Sequence, residues 1–111
     1  MNTEDDLCEL YVNSEQTLQK LLSDIAEITG GEEHRYAVST SFGEIDVRPN
    51  EDFNRKKAKS SFLYFSYLVT VENDFSISHE EYCKQVVGLV GHLKRRGYAE
   101  IVPACHFEEL F

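Results

Sequence analysis

The segment from Ser78 to Gly97 restricts the possible folds more than any other part of this chain. Ser78 and Glu81 form a capping box, and Gly97 follows three basic residues where a helix would end. The apolar residues between them recur at helical spacing, and the stripe predicted to be buried is Tyr82, Val86, Leu89, Val90 and Leu93. Such a helix is stable only when it packs its stripe against another element, so the chain must supply a matching apolar surface.

A second amphipathic helix is predicted near the N-terminus. Residues Cys8–Val12 alternate weakly and favour a short strand, after which Asn13 or Ser14 offers an N-cap. The helix should end near Thr29, because Gly30 tolerates the left-handed conformation common at helix ends. Its apolar stripe is Leu18, Leu21, Leu22, Ile25 and Ile28.

Four further strands are predicted from alternation and β-propensity. Tyr36–Thr40 and Glu44–Arg48 are joined by a short glycine-containing connection, which is typical of a hairpin. Phe62–Glu72 is rich in aromatic and β-branched residues, and Tyr98–Val102 precedes a proline. The polar stretch Asn50–Ser61 should form an exposed loop.

The resulting order is β-α-β-β-β-α-β. It predicts one α+β domain over residues 1–111, a two-layer sandwich with two helices on one face of a mostly antiparallel five-stranded sheet. The nearest familiar layout is ferredoxin-like. Because one side of the predicted strand Phe62–Glu72 is mixed in polarity, the second face of the sheet should be only partly covered.

Charge and hydropathy exclude several classes of partner. The chain has 11 basic and 20 acidic residues, a net charge of −9, which argues against nucleic-acid binding. It lacks an apolar run of the roughly 18 residues that a membrane span needs, and its first residues are acidic where a signal peptide is basic. We therefore predict a soluble cytoplasmic protein whose first seven residues form a solvated end.

The chain has three cysteines, Cys8, Cys83 and Cys105. An odd number at wide spacing predicts free thiols, although a Cys8–Cys105 or a Cys83–Cys105 bridge remains compatible with the sequence. His79 and Cys83 share a helix face, and with Cys105 and His106 they would form a metal site or a catalytic Cys–His pair. Since no CxxC, HxxxH or nucleophile motif is present, we predict no metal, no cofactor and no catalytic residue.

Acidic and aromatic residues on the sheet are the candidate binding residues. Alternation places Glu44 and Asp46 on one side of their strand, and Tyr64 and Glu72 are expected on the same open face. We predict a non-enzymatic interaction protein, of the immunity or antitoxin kind, that masks a basic protein partner through these residues. The alternatives are a small-molecule or metal-binding domain that uses the Asn50–Ser61 loop with the cysteines and histidines, and a structural homodimer.

Three segments also resemble a loosely defined set of small uncharacterised bacterial proteins. These are Glu44–Asn54, with its acidic strand and polar turn, the aromatic segment Phe62–Glu72, and the closing Ala104–Glu108. The resemblance covers about a third of the chain. It implies a bacterial cytoplasmic protein of one domain and implies no reaction.

Overall fold

The computed structural model describes residues 6–111, which form two α-helices and a six-stranded sheet of order β2-β3-β4-β5-β1-β6. Every neighbouring pair of strands is antiparallel. The α+β prediction is confirmed, whereas the prediction of five strands is wrong. The elements are β1 (Leu7–Asn13), α1 (Leu18–Thr29), β2 (Glu32–Glu33), β3 (Ala37–Ser39), β4 (Glu44–Pro49), β5 (Tyr67–Glu72), α2 (His79–Arg95) and β6 (Glu100–Ala104).

The additional strand is β2, which extends the sheet by pairing with β3. Both of its residues, Glu32 and Glu33, are exposed. A two-residue edge strand without an apolar side has no alternation to detect. It exists because the turn after α1 returns the chain alongside β3, and the backbone hydrogen bonds of that edge stabilise it.

The core lies between the helices and one face of the sheet. Both helices turn their apolar stripes towards it, and α1 also contacts α2 directly. Alternate residues of the long strands point inward and are inaccessible to solvent. The inward strand residues are Cys8, Leu10, Val12, Ile45, Val47, Val69 and Val71.

Helix α2 confirms its prediction closely. Ser78 is the N-cap, its hydroxyl accepts a hydrogen bond from the Glu81 backbone N–H, and all five predicted stripe residues are buried. Helix α1 ends at Gly30 in the left-handed conformation, as predicted, but begins later than predicted. Its N-cap is Thr17, because Asn13 still belongs to β1 and the Ser14 hydroxyl instead accepts from Gln16 N.

The predicted strand Phe62–Glu72 is a strand only in its second half. Phe62–Tyr64 forms a 3₁₀ turn, and strand β5 begins at Tyr67. The cause lies in the preceding loop, where the Asn50 side-chain amide donates to the carbonyl oxygens of Leu63 and Phe65 at 2.9 and 2.8 Å. A backbone held in this way by a side chain cannot continue the sheet ladder.

The last strand also differs from its prediction, because it continues through Pro103 to Ala104. Strand β6 is an edge strand, where a residue without an N–H is tolerated. At the other end of the chain, Asp6 is buried and not part of a solvated end, while residues 1–5 of that prediction lie outside the described residues. In residues 6–111, no helix combines the length and hydropathy needed to cross a membrane.

Candidate functional site

Four carboxylates lie on the face of the sheet opposite the helices. Glu44 and Asp46 alternate with the buried Ile45 and Val47 on β4, and Glu72 follows the buried Val71 on β5. Glu9 lies between the buried Cys8 and Leu10 on β1. We call Glu9, Glu44, Asp46 and Glu72 the acidic face.

The register of the sheet places these carboxylates in two adjacent rows. In the first row, Asp46 and Glu9 both pair with Thr70, so they flank it at about 10 Å from each other. In the second row, Glu72 pairs with Leu7 on β1. On its other side Glu72 faces Glu44 on β4, because Ile45 pairs with Val71 and the register continues by one residue. Within the described part of the chain, none of the four carboxylates forms an ion pair.

The predicted aromatic member, Tyr64, is not part of this arrangement. It lies on the 3₁₀ turn before β5, at the opposite end of that strand from Glu72, and its ring contacts the Lys57 ammonium at 5.1 Å. The structure therefore brings together Glu44, Asp46 and Glu72, but not Tyr64.

The aromatic residue beside the acidic face is Tyr11, two residues after Glu9 on the same side of β1. Its ring meets Phe62 edge to face at 5.0 Å. Partial burial, together with the charges of Glu9 and Asp52, raises the pKa of Tyr11. The sequence shows the alternation of Glu9 and Tyr11, but not that β1 lies beside β5, and this adjacency determines their place in the site.

The thiols form a second cluster, on the helix side of the sheet. The Sγ atoms of Cys8 and Cys105 are 2.6 Å apart, and Cys83 contacts His79, with Sγ to Nε2 at 3.5 Å. His79 Nδ1 lies 2.5 Å from the buried carboxylate of Asp6. Three of the four residues of the predicted Cys/His grouping thus lie close together, with Asp6 and Cys8 as unpredicted members.

Cys83, His79 and Asp6 are connected in the way that a nucleophile, a base and an orienting carboxylate are connected in an enzyme. Their electrostatics oppose that chemistry. Burial, followed by the charge of Asp6, raises the pKa of the Cys83 thiol, whereas reactive cysteines have a lowered pKa. The same arrangement serves as a structural contact, since Phe107 packs edge to face against His79 and Tyr82. Over the described range, there is no group of three or more His, Cys, Asp or Glu residues with the geometry to hold a metal ion.

The surface also has two grooves, of which only the smaller borders the thiol cluster. An apolar groove of about 640 Å³ lies between α2 and the C-terminal tail, lined by Cys83, Val87, Phe107 and Leu110 among others. A larger, half-open groove of about 1120 Å³ lies between the Asn50–Ser61 loop and the connection from β1 to α1. Arg55 of the loop and Glu15 of the connection face each other there at 3.7 Å.

The larger groove and the thiol cluster lie at opposite ends of β1, since Asn13 borders the groove and Cys8 belongs to the cluster. Five residues of extended strand separate them by about 17 Å. The predicted alternative that joined the loop with the cysteines and histidines in one site is therefore not supported by their positions.

No protein-family model, curated protein or solved structure matches this chain. The assignment of function consequently depends on the geometry and charge of the chain itself.

Proposed function

We propose that this protein is a small acidic interaction domain of the immunity or antitoxin kind, and that it masks a basic protein partner on the acidic face. One observation carries the proposal: four carboxylates without ion-pair partners in the described residues lie on three neighbouring strands, on the face opposite α1 and α2. The sheet already fixes the backbone that carries these charges, so binding a partner would have to order only the side chains.

The charge distribution favours a cationic partner. Like charges that face each other across strands destabilise a sheet, and a cationic side chain placed between the rows of the acidic face would relieve that repulsion. Seven of the 11 basic residues fall in two sequence clusters, Arg55–Lys59 and Lys94–Arg96, outside these strands, and Arg48 is the one cation of β4, on the same side as Asp46. The negative field would also speed the encounter with a basic protein in the cytoplasm, where we propose that this chain acts.

Apolar side chains beside the carboxylates support a protein partner over a small cation. Leu7 pairs with Glu72 and is 40% exposed, while Leu68 and Val102 flank Tyr11 in the row on the other side of Glu9 and Asp46. An aromatic anchor with apolar neighbours and a charged surround is typical of the centre of a protein interface.

We further propose that the architecture is a ferredoxin-like arrangement with an added hairpin. Strands β4, β5, β1 and β6 are adjacent in that order, and antiparallel pairing makes β1 parallel to β4 and β5 parallel to β6. Each parallel pair is connected through one helix and encloses one strand. In this interpretation, β2 and β3 extend the edge beyond β4 and enlarge the open face.

The test is affinity capture from a lysate of the source organism, followed by titration of the captured protein against two matched variants. In the first variant, Glu9, Glu44 and Glu72 become Gln and Asp46 becomes Asn. The second replaces four exposed carboxylates elsewhere with Gln, at Glu51, Glu80, Glu108 and Glu109. Both variants change the net charge from −9 to −5, so only the position of the lost charges differs.

We expect a basic partner that binds stoichiometrically and more weakly as the salt concentration rises. The acidic-face variant should lose at least about tenfold in affinity, while the matched variant should lose far less, because screened charges distant from an interface contribute little. Failure to capture a partner, an affinity that ignores salt, or equal losses in both variants would contradict the proposal.

The alternatives have direct tests of their own. Stoichiometric zinc in the purified protein would favour a metal-binding function. A dimer mass in light scattering that the acidic-face variant changes would favour a homodimer on the open face of the sheet. Either result would favour that alternative over the masking of a basic partner.

A further inference from the structure

Cys8 on β1 and Cys105, the residue directly after β6, lie opposite each other although 97 positions separate them in the sequence. Glu9 pairs with Ala104 at the end of the β1–β6 ladder, so Cys8 and Cys105 are the next pair in that register. Their sulfur atoms, 2.6 Å apart, are in direct contact.

The backbone geometry identifies the type of this pair. Asp6 accepts a backbone hydrogen bond from Asn73, so it directs its carbonyl group towards β5. Residues two positions apart on a strand direct their backbone N–H and C=O groups the same way. The backbone groups of Cys8 therefore also point towards β5 and away from β6. Cys8 and Cys105 consequently form a pair that exchanges no backbone hydrogen bonds.

Pro103 supports the same conclusion independently. It pairs with Leu10 on β1 and has no N–H to donate, which suits a pair without hydrogen bonds. Pairs with and without backbone hydrogen bonds alternate along an antiparallel ladder. Since Leu10 and Pro103 form a pair without them, Glu9 and Ala104 form a pair with them, and Cys8 and Cys105 again form a pair without them. Pairs of this type have Cα atoms about 4.5 Å apart, which lies inside the range that a disulfide bond requires.

We propose that Cys8 and Cys105 are a thiol–disulfide modification site, oxidised by a low-molecular-weight disulfide such as oxidised glutathione and reversed by thiols. The two cysteines differ in accessibility, since Cys8 is fully buried and Cys105 is partly exposed. The order of the exchange follows from this difference.

The deprotonated Cys105 thiol attacks one sulfur of oxidised glutathione, which breaks the glutathione S–S bond and releases one glutathione thiolate. The sulfur of Cys8 then attacks Cys105 in the mixed disulfide, and its proton passes to the second departing glutathione. In total, two protein thiols lose two electrons and two protons, and one oxidised glutathione becomes two reduced molecules.

Cys83 stays outside this exchange. It is nearly inaccessible, and its sulfur already contacts the His79 ring, which is held by Asp6. Burial raises the pKa of both Cys83 and Cys8, so the pKa does not separate them. Position does, because the sulfur of Cys8 lies 2.6 Å from that of Cys105. The bond between Cys8 and Cys105 would attach the C-terminal tail to β1, the strand next to the edge strand β6, and fix Phe107 against Tyr82.

The experiment incubates the fully reduced, full-length protein with oxidised glutathione, quenches it in acid, and alkylates the remaining thiols with N-ethylmaleimide. We expect intact mass spectrometry to show the loss of two of the three alkylatable thiols without a glutathione adduct, and peptide mapping to find a Cys8–Cys105 link. Added dithiothreitol should restore all three thiols. Three alkylated thiols after incubation, or a link that involves Cys83, would overturn the proposal.

Single variants test the order of the exchange and guard against misfolding. Cys83→Ser should form the bond as the wild type does. Cys8→Ala should stop at a glutathione adduct on Cys105, and Cys105→Ser should leave Cys8 unmodified for as long as circular dichroism shows a folded chain. A glutathione adduct on Cys8 in folded Cys105→Ser would contradict the assignment of Cys105 as the entry point.

Discussion

Asp24 is a buried carboxylate that links α1 to the end of α2 and the segment after it. Its side chain is 4% exposed and accepts hydrogen bonds from Lys20 at 2.8 Å, from Arg96 at 3.0 Å and from Tyr98 at 2.6 Å. Burial alone would raise the pKa of Asp24, but the hydrogen bonds from Lys20, Tyr98 and Arg96 more than offset burial and hold the pKa below its usual value. The carboxylate is therefore ionised in the folded protein at neutral pH.

The perturbation is Asp24→Asn, which keeps the shape of the side chain and removes its charge. Lys20 is 53% exposed and Arg96 37% exposed, so solvent screens both pairs and each contributes about 0.5 kcal/mol. The Tyr98 hydroxyl is buried, and a buried hydrogen bond to a charged group contributes about 2 kcal/mol. We expect Asp24→Asn to lower the free energy of unfolding at pH 7 by about 3 kcal/mol.

The pH dependence provides the sharper test. A carboxylate with a lowered folded-state pKa stabilises the protein fully above its unfolded-state pKa, about 3.9, and this contribution is lost as the pH falls through the lower, folded-state pKa. The difference between wild type and Asp24→Asn in urea unfolding should be constant from pH 8 to 6 and shrink below about pH 4. Asp52→Asn, at an exposed position, is the matched control. A difference under about 0.5 kcal/mol at pH 7, or one that persists unchanged at pH 3, would refute this reasoning.

Two further predictions concern the stability of the sheet. Oxidation of Cys8 and Cys105 closes a loop across 97 positions, so urea unfolding should show the oxidised protein to be more stable by about 4 kcal/mol, with no gain in Cys8→Ala. Gly43→Ala should cost about 3 kcal/mol, because φ is +154° there and an added Cβ would lie 2.0 Å from the Glu72 carbonyl oxygen. Gly88→Ala, whose added Cβ meets no atom within 4 Å, is the control, and equal effects of the two alanines would show that the turn tolerates the side chain.

The local features of the fold were predictable from the sequence, because each depends on residues close together in the chain. The capping box at Ser78 and the glycine after Thr29 determine helix ends through hydrogen bonds and backbone conformation within one turn. The stripe of α2 follows from the helical period. All of these predictions are confirmed.

The errors arise where a distant group competes with a local preference. Phe62–Tyr64 has the composition of a strand. The side-chain amide of the loop residue Asn50, however, donates hydrogen bonds to the carbonyl oxygens of Leu63 and Phe65, and the backbone turns there. Asp6 belongs to an acidic stretch that favours solvent, but it is buried against Asn73 and His79. Neither contact has a sequence pattern, since the partners lie more than ten residues away.

The candidate site shows the same division between local and distant information. Alternation within β4 correctly placed Glu44 and Asp46 on one side, but the position of Glu9 beside them requires the strand order, which places β1 next to β5. The contact between Cys8 and Cys105 requires the register of β1 against β6. Both are tertiary properties of this sheet, and the sequence left the pairing of Cys105 open.

The alternation of β1 also separates the two proposals physically. Cys8 points into the core and its neighbour Glu9 points to the open face, so the thiol site and the acidic face lie on opposite sides of one strand. Because a pair without backbone hydrogen bonds already brings the sulfurs into contact, forming the bond requires no change of register in β1. Oxidation would therefore leave the carboxylates where they are. The loss of one proposal would leave the other intact, since the first depends on charges facing solvent and the second on two thiols facing the core.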